Sequence, residues 1–484
     1  MRDYYTLKFN LPAGIISPGS LQTLLGLAYT ANIRQVRFGA RQQLLMTAHY
    51  EDMRFLEKDL KQQQIPYEVN TDQYPNIISS YCGEEVFHTG TWLGESEYHT
   101  VLDSLDYQPR LKINLSDSDQ SFTPFFTGNL NFIASPEPHF WYVYVRPKQH
   151  NTLFKWPDLI YTNQIGRLAK AIEEAMLDEG HYGEDALYKA VMDTQTFIRQ
   201  PATQDVALPE FSLPYYEGFN RYGSRSWLGL YRRDEQFSIT FLQDICSMCL
   251  KTRIGELCIT PWKSLIIKGI EEKDRPMWSY VLGKHNINVR HAANELAWQT
   301  EDHQDEGTAI KNYVNQYFQR HDTRTYGLCF GVQTRPKSEV FGSVLIRKRP
   351  LICFGQLALF SVYDLYFSEN FNPNSRTHFR FEKGLFKIHL PGQIERLCRK
   401  FGSRRLGETT ETMRLENAEA PLANGASATV YECPNCFTVY DEQYGDLLSG
   451  IEAGKPFNQL PDEYVCPTCD TPKCDLKPVE MERV

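Results

Sequence analysis

The 484-residue sequence lacks any apolar run long enough to cross a bilayer; its longest, at residues 350–363, is broken by Gly355 and Gln356. Its start, MRDYYTLKFNLP, has no basic segment leading into an apolar one, so no secretory leader is expected. No cluster of Lys and Arg marks a nucleic-acid surface, and the formal net charge is −9. Also missing are GxGxxG after a strand, GxxxxGK followed by Ser or Thr, HExxH, and GxSxG. Their absence removes the recognisable cradles for dinucleotides, flavins and nucleoside phosphates, the zinc-protease helix and the serine-hydrolase elbow. The expectation is a cytoplasmic chain with no membrane span and no nucleic-acid partner. At 42% hydrophobic residues it can bury more than one core, so two or three domains are expected.

Cysteine is present, twelve in all, and unevenly placed. CPNC at 433–436 and CPTC at 466–469 stand 29 residues apart. Two Cys-x-x-Cys knuckles at that separation can bring four thiolates to the corners of a tetrahedron, which suits iron or zinc. The candidate ligands are Cys433, Cys436, Cys466 and Cys469. The remaining cysteines sit mostly alone in apolar surroundings, the usage of a reduced compartment. Between the knuckles lie Tyr440-Asp441, Gly445-Asp446, Gly454, Phe457 and Leu460-Pro461-Asp462, followed by Val465-Cys466-Pro467 and Lys473.

That arrangement resembles a rubredoxin. The resemblance implies one iron on four cysteines, cycling between ferric and ferrous. A zinc ribbon is the other reading of two such knuckles, but it gives no role to the aromatic and Leu-Pro-Asp pattern, so iron is favoured. Phe437 and Asp470 stand where the family usually places glycine after each knuckle. A Phe in the left-handed conformation would cost roughly 1–2 kcal/mol. Cys474 follows Lys473, where the family has a non-ligand. Residues 428–484 hold 11 Asp/Glu against 4 Lys/Arg, a net of −7, leaving −2 for residues 1–427. Such acidity suits docking against a basic patch on a partner, and it also serves solubility.

Upstream, the sequence repeats. Residues 5–10 read as a strand, Leu21, Leu24, Leu25 and Ala28 fall at helical spacing after a Ser17 cap, and residues 35–46 are strand-like. An offset of 221 residues lays VRFGARQQLLM at 36–46 over LCITPWKSLII at 257–267. In that alignment a third CxxC, Cys246 and Cys249, falls on Leu25 and Ala28. Those are inward positions of a helix, so a core role is expected in place of a redox dithiol. Residues 163–197 read as helices, 326–346 and 378–389 as strands, and 393–401 as a closing helix.

Several segments of this body resemble the nitrite and sulfite reductase haemoprotein core: Leu11-Pro12-Ala13-Gly14-Ile15-Ile16-Ser17, Val36-Arg37-Phe38-Gly39-Ala40-Arg41-Gln42, Pro109-Arg110-Leu111-Lys112 and residues 128–134. The resemblance implies an α+β fold of duplicated, ferredoxin-like halves. In the family that fold carries sirohaem and a four-iron cluster held by C-x5-C and C-x3-C pairs. No two cysteines here differ by six or by four positions; Ala293, Gln299, Ser118 and Phe122 stand where such thiolates would be read. Sirohaem is therefore not expected, nor is a four-iron cluster. Arg41, Arg110 and Lys112 match the family's basic lining and are candidate contacts for an anion or tetrapyrrole, with solvated strand ends or internal pairing as the alternative.

Residues 407–428 lose periodicity and read as a tether with a random-coil reach of roughly 25 Å. The expected domains are 1–205 and 206–405 for the two halves, 406–428 for the linker and 429–484 for the iron domain. The function expected is one-electron transfer through a rubredoxin-type centre. A pseudo-reductase body would dock a redox partner, an NAD(P)H-dependent reductase or a terminal reductase. The pathway implied is nitrite or nitrate assimilation or sulfur metabolism. An electron carrier is favoured over an independent enzyme. The alternatives are a sirohaem- or anion-binding reductase fed by its own rubredoxin domain, and a zinc-ribbon assembly module.

Overall fold

Alternation in YYTLKF buries Leu7 and Phe9 and makes a strand of Tyr4–Phe9. The helix Pro18–Thr30 follows, capped by Ser17, whose hydroxyl accepts from the N–H of Ser20 at 3.1 Å. Leu21, Leu24, Leu25 and Ala28 form its buried stripe, as their spacing predicts. Strands Gln35–Phe38 and Leu44–His49, helix Tyr50–Gln62 and strand Glu68–Val69 complete a βαββαβ unit. Its antiparallel sheet places these four strands in the spatial order second, third, first, fourth, the ferredoxin-like arrangement. The computed structural model describes residues 3–87, 91–147, 153–177, 183–302, 305–335, 338, 340–354, 357–405, 427–434, 438–443, 445–446, 449, 451–452, 454–467 and 471–482.

The repeat holds for two strands and the first helix. Shifted by 221, Tyr4–Phe9 lands on the strand Arg225–Leu230 and Leu44–His49 lands on Leu265–Ile270. The first helix lands on Ile239–Thr252. The two copies also trade strands. Phe237–Ser238 joins the first sheet with Phe237 opposite Val36, and Ile15–Ile16 joins the second with Ile16 opposite Leu257. The same 221-residue shift turns one pairing into the other, so the copies are related by a local two-fold pseudo-symmetry. Gly14 marks this crossing, with φ at +76° and the carbonyl of Ile259 only 2.4 Å from where a Cβ would sit. The helices of both copies share one apolar core, in which Leu25 and Ala28 meet Leu242, Ile245, Cys246 and Cys249.

Each copy continues into a second, mixed sheet. In the first, Ile78–Ser79, Ile113–Ser116 and Leu130–Ala134 run parallel and Phe140–Val145 returns antiparallel. In the second, Trp298–Thr300, Phe330–Gln333 and Val344–Phe354 run parallel and Leu357–Ser368 returns antiparallel. The helices expected in 163–197 are Ile165–Leu177 and Glu184–Thr194, and the closing helix is Leu390–Arg405. The α+β fold of duplicated halves is therefore present.

The chain packs as two compact units that part after His291. His291 lies inside the half expected at 206–405, so the units follow packing and the expected halves follow the repeat. A separate three-stranded antiparallel sheet, in the order Val439–Tyr440, Ser427–Glu432, Lys477–Glu482, forms the C-terminal domain. The expected tether lies outside the described residues up to 426. Among the described residues no helix is long and apolar enough to cross a membrane.

Candidate metal centre

Strand Ser427–Glu432 delivers the chain to the first knuckle. Cys433 and Cys466 are completely buried in one small core with Tyr440, Ile451, Leu460, Tyr464 and Leu476. Each of these cysteines opens a loop closed by the same backbone bond. The N–H of Cys433 donates to the carbonyl of Thr438 and the N–H of Cys466 to that of Thr471, both at 2.8 Å. The two knuckles thus turn alike, 33 residues apart. Cys436 and Cys469, with Phe437 and Asp470, lie outside the described residues, and by number they fall inside these two loops. Soft sulfur donors withdrawn from water in matched loops fit a tetrathiolate metal. Cys474, by contrast, is exposed, with its thiol at 3.7 Å from Asp475.

The residues between the knuckles each hold part of the frame. Gly445 has φ at +65°, and the carbonyl of Glu452 lies 2.3 Å from where a Cβ would sit, so a side chain has no room. The Tyr464 hydroxyl donates to Asp446 at 2.9 Å and the Tyr440 hydroxyl to the carbonyl of Lys455 at 2.6 Å. Tyr431 stacks on Phe457 with ring centroids 3.7 Å apart. Lys473 donates its ammonium to the carbonyl of Leu460 at 2.6 Å and its N–H to that of Tyr464 at 2.9 Å. Burial raises the phenol pKa of Tyr440 to about 12, helped by Glu442, Asp446 and Asp441. Burial likewise pushes Tyr464 up, reinforced by Asp446. Both phenols stay protonated donors across the physiological range.

In the body, Arg41 sits in the turn between Gln35–Phe38 and Leu44–His49, beside Gln42 at φ +59°. It is buried, and its guanidinium donates to the carbonyl of Asn76 at 2.8 and 3.1 Å, to that of Ile113 at 3.1 Å and to Asn114 Oδ1 at 3.5 Å. These bonds tie the first ferredoxin-like sheet to the second, mixed sheet. The second copy reuses the turn: Lys263, at φ +55°, falls on Gln42 and forms a buried 2.8 Å ion pair with Glu235. Trp262 takes the place of Arg41 and donates its indole N–H to the carbonyl of Phe122. Reading the turn across the repeat would have flagged Lys263 and Trp262, because the 221-residue offset aligns them.

Arg110 and Lys112 flank Leu111 just before the strand Ile113–Ser116. Glu173 accepts from the N–H groups of both Arg110 and Leu111, at 2.7 and 2.8 Å. The Nε of Arg110 is buried with no hydrogen-bond partner among the described residues. Lys112 pairs its backbone with Asn129. The structure thus brings Arg41 to the base of the strand that Arg110 and Lys112 enter. Phe122, where a cluster thiolate would be read, packs on Phe87, Tyr216 and Trp262. Cys246 and Cys249 are fully buried, and burial drives the Cys246 thiol up to about 12 and the Cys249 thiol higher still. Neither supplies a ready thiolate.

The Rubredoxin family model matches residues 430–476. Over 52 residues the chain is 46% identical to the probable rubredoxin HupI of Bradyrhizobium diazoefficiens, covering 11% of this chain and 75% of that protein. It is 39% identical over 54 residues to Rubredoxin 4 of a Rhodococcus species, covering 90% of that protein. Among solved structures, the Mycobacterium tuberculosis NirA protein superposes with a TM-score of 0.65 at 13% identity, over 85% of this chain and 84% of that one. The two findings are complementary: the first describes the C-terminal domain, and the second describes the fold of most of the chain.

Proposed function

The chain belongs to the rubredoxin family through residues 430–476, and on that premise we propose that it is a one-electron carrier whose C-terminal domain holds a single iron on Cys433, Cys436, Cys466 and Cys469. Bound there, iron would supply a ferric/ferrous couple. The chain's own residues do the rest. The burial of Cys433 and Cys466 in one core with matched loop closures is the observation that carries the assignment. That core keeps water from the sulfurs, and Tyr440, Tyr464 and Lys473 bond to Lys455, Asp446 and Leu460 and so brace the segment between the two loops.

A rubredoxin domain implies a redox partner, which we assign to an NAD(P)H-dependent reductase or a terminal reductase. The NirA-like body is the docking platform for that exchange, with nitrite or nitrate assimilation or sulfur metabolism as the setting. The body's role is positional in this reading: Arg41 spends its guanidinium on backbone carbonyls and the CxxC at 246–249 is core. The visible spectrum of the purified protein tests the proposal. Ferric tetrathiolate bands alone are expected. Sirohaem bands would move the chemistry into the body, and a colourless protein with stoichiometric zinc would make the domain a structural ribbon.

A further inference from the structure

Where the helices Asp305–His321 and Leu390–Arg405 pack together, the loop after the first of them walls a cleft of about 320 Å³. Charge of both signs surrounds it, and the two signs balance. On the second helix the charges are already engaged. Glu395 accepts from Arg399 at 2.6 Å and from the Tyr317 hydroxyl at 2.9 Å, and Arg396 pairs with Glu382 at 3.6 Å.

The loop is different. Asp322 and Arg324 both line the cleft and both are exposed. Among the described residues neither side chain has a hydrogen bond or an ion pair, and they do not pair with each other. Between them, the hydroxyl oxygen of Thr323 is buried with no partner among the described residues. Three consecutive side chains thus bring one negative charge, one hydroxyl and one positive charge to the same wall. The rest of that wall is less polar. Cys398 is buried, and burial pushes its thiol up to about 12, so it carries no charge. Phe401 packs edge-on against Phe371 with ring centroids 5.2 Å apart, and the exposed ring of Tyr326 stands beside the opening.

We propose that this cleft binds a free amino acid with an apolar side chain, its carboxylate on Arg324 and its ammonium on Asp322. One unengaged guanidinium and one unengaged carboxylate match a ligand that carries one charge of each sign. A simple anion on Arg324 would meet the like charge of Asp322, and a simple cation on Asp322 would meet that of Arg324. A guanidinium takes a carboxylate through two parallel N–H bonds, which fixes the ligand's orientation as well as its charge. The apolar part then lies against Phe401, Cys398 and Tyr326. The volume falls at the small end of ligand pockets, which run to roughly 300–1,000 Å³. This site is distinct from the iron centre and goes beyond the electron-carrier reading, which stands or falls on the metal alone.

The test is a ligand-observed NMR titration of the full-length protein with L-leucine, L-methionine and L-phenylalanine. Two analogues of the leucine skeleton run beside them: isopentylamine, which lacks the carboxylate, and 4-methylpentanoate, which lacks the ammonium. At least one of the amino acids is expected to bind saturably. For leucine, each analogue should bind at least about tenfold more weakly, the loss of one charge-assisted contact. Arg324→Gln should bring leucine down to the level of isopentylamine, and Asp322→Asn should bring it down to that of 4-methylpentanoate. Arg324→Lys, which keeps the charge but not the fork, should fall between parent and Arg324→Gln. Both positions are exposed, so all three variants should unfold at the parent's temperature. Failure of all three amino acids to saturate overturns the proposal, as do analogues that bind as tightly as leucine. So do Arg324→Gln and Asp322→Asn variants that bind leucine like the parent. A protein that binds leucine as expected but takes up zinc and never iron would instead overturn the electron-carrier reading.

Discussion

Arg41 shows how the chemistry of one residue type suits more than one role. A guanidinium in a turn suggests a carboxylate or small anion as its partner, since planar forks suit planar acceptors. Here the acceptors are main-chain carbonyls of Asn76 and Ile113, which hold one sheet to the next. Arg41→Ala should therefore lower stability by about 1–3 kcal/mol for each carbonyl left buried without a donor. Arg41→Lys should recover little of that loss, because a single ammonium cannot span both strands. Urea denaturation followed by circular dichroism measures this. A variant as stable as the parent would return Arg41 to the list of ligand-binding residues. Arg110, whose Nε has no partner among the described residues, remains the better candidate for a bound group.

At the scale of elements, the CxxC in helix Ile239–Thr252 is a packing feature. Cys246→Ala/Cys249→Ala should cost ~1–3 kcal/mol through lost contacts while leaving the redox spectrum and electron-transfer rate unchanged. Transfer that failed with fold and metal content intact would contradict the core assignment. The strand His378–Leu385 carries a titratable group of the opposite kind. Burial lowers the pKa of His378 from 6.5 to about 4; a backbone hydrogen bond at Arg376 opposes the shift, and the charges of Arg376 and Arg347 add to it. Folding then favours the neutral ring, so its contribution is fully present above pH 6.5 and is lost as pH falls towards 4. The loss is at most about 3 kcal/mol for a shift of this size. A His378→Gln variant should show a shallower decline in stability between those two pH values. An unchanged slope would mean the ring is already accommodated in its charged form.

At the scale of the whole molecule, body and iron domain are expected to be thermodynamically independent. Among the described residues the C-terminal core has seven buried residues, two of them cysteines, and cores this small depend on their metal. Cys433→Ala or Cys466→Ala should abolish iron binding and remove the C-terminal transition from a calorimetric scan, with the body's transition unmoved. Cys474→Ala should retain the metal, since that thiol is exposed and faces Asp475. Loss of iron from the Cys474 variant would overturn the ligand assignment.

The sequence alone determined the knuckles, the repeat and the class of fold, because each is written in short-range spacing. Two CxxC pairs, a 221-residue offset and a Ser-capped helix stripe survive any arrangement of the rest of the chain. It could not settle where the units divide. Phe237 and Ile16 each leave their own copy to complete the other's sheet, and a two-residue exchanged strand has no local signature. Nor could it settle what Arg41 holds, because main-chain carbonyls are chemically identical at every position and only folding brings those of Asn76 and Ile113 within reach. The same holds for Arg324 and Arg399, which line one cleft where the helices Asp305–His321 and Leu390–Arg405 pack together. Those two residues are 75 positions apart, and the packing of two helices is what makes them neighbours.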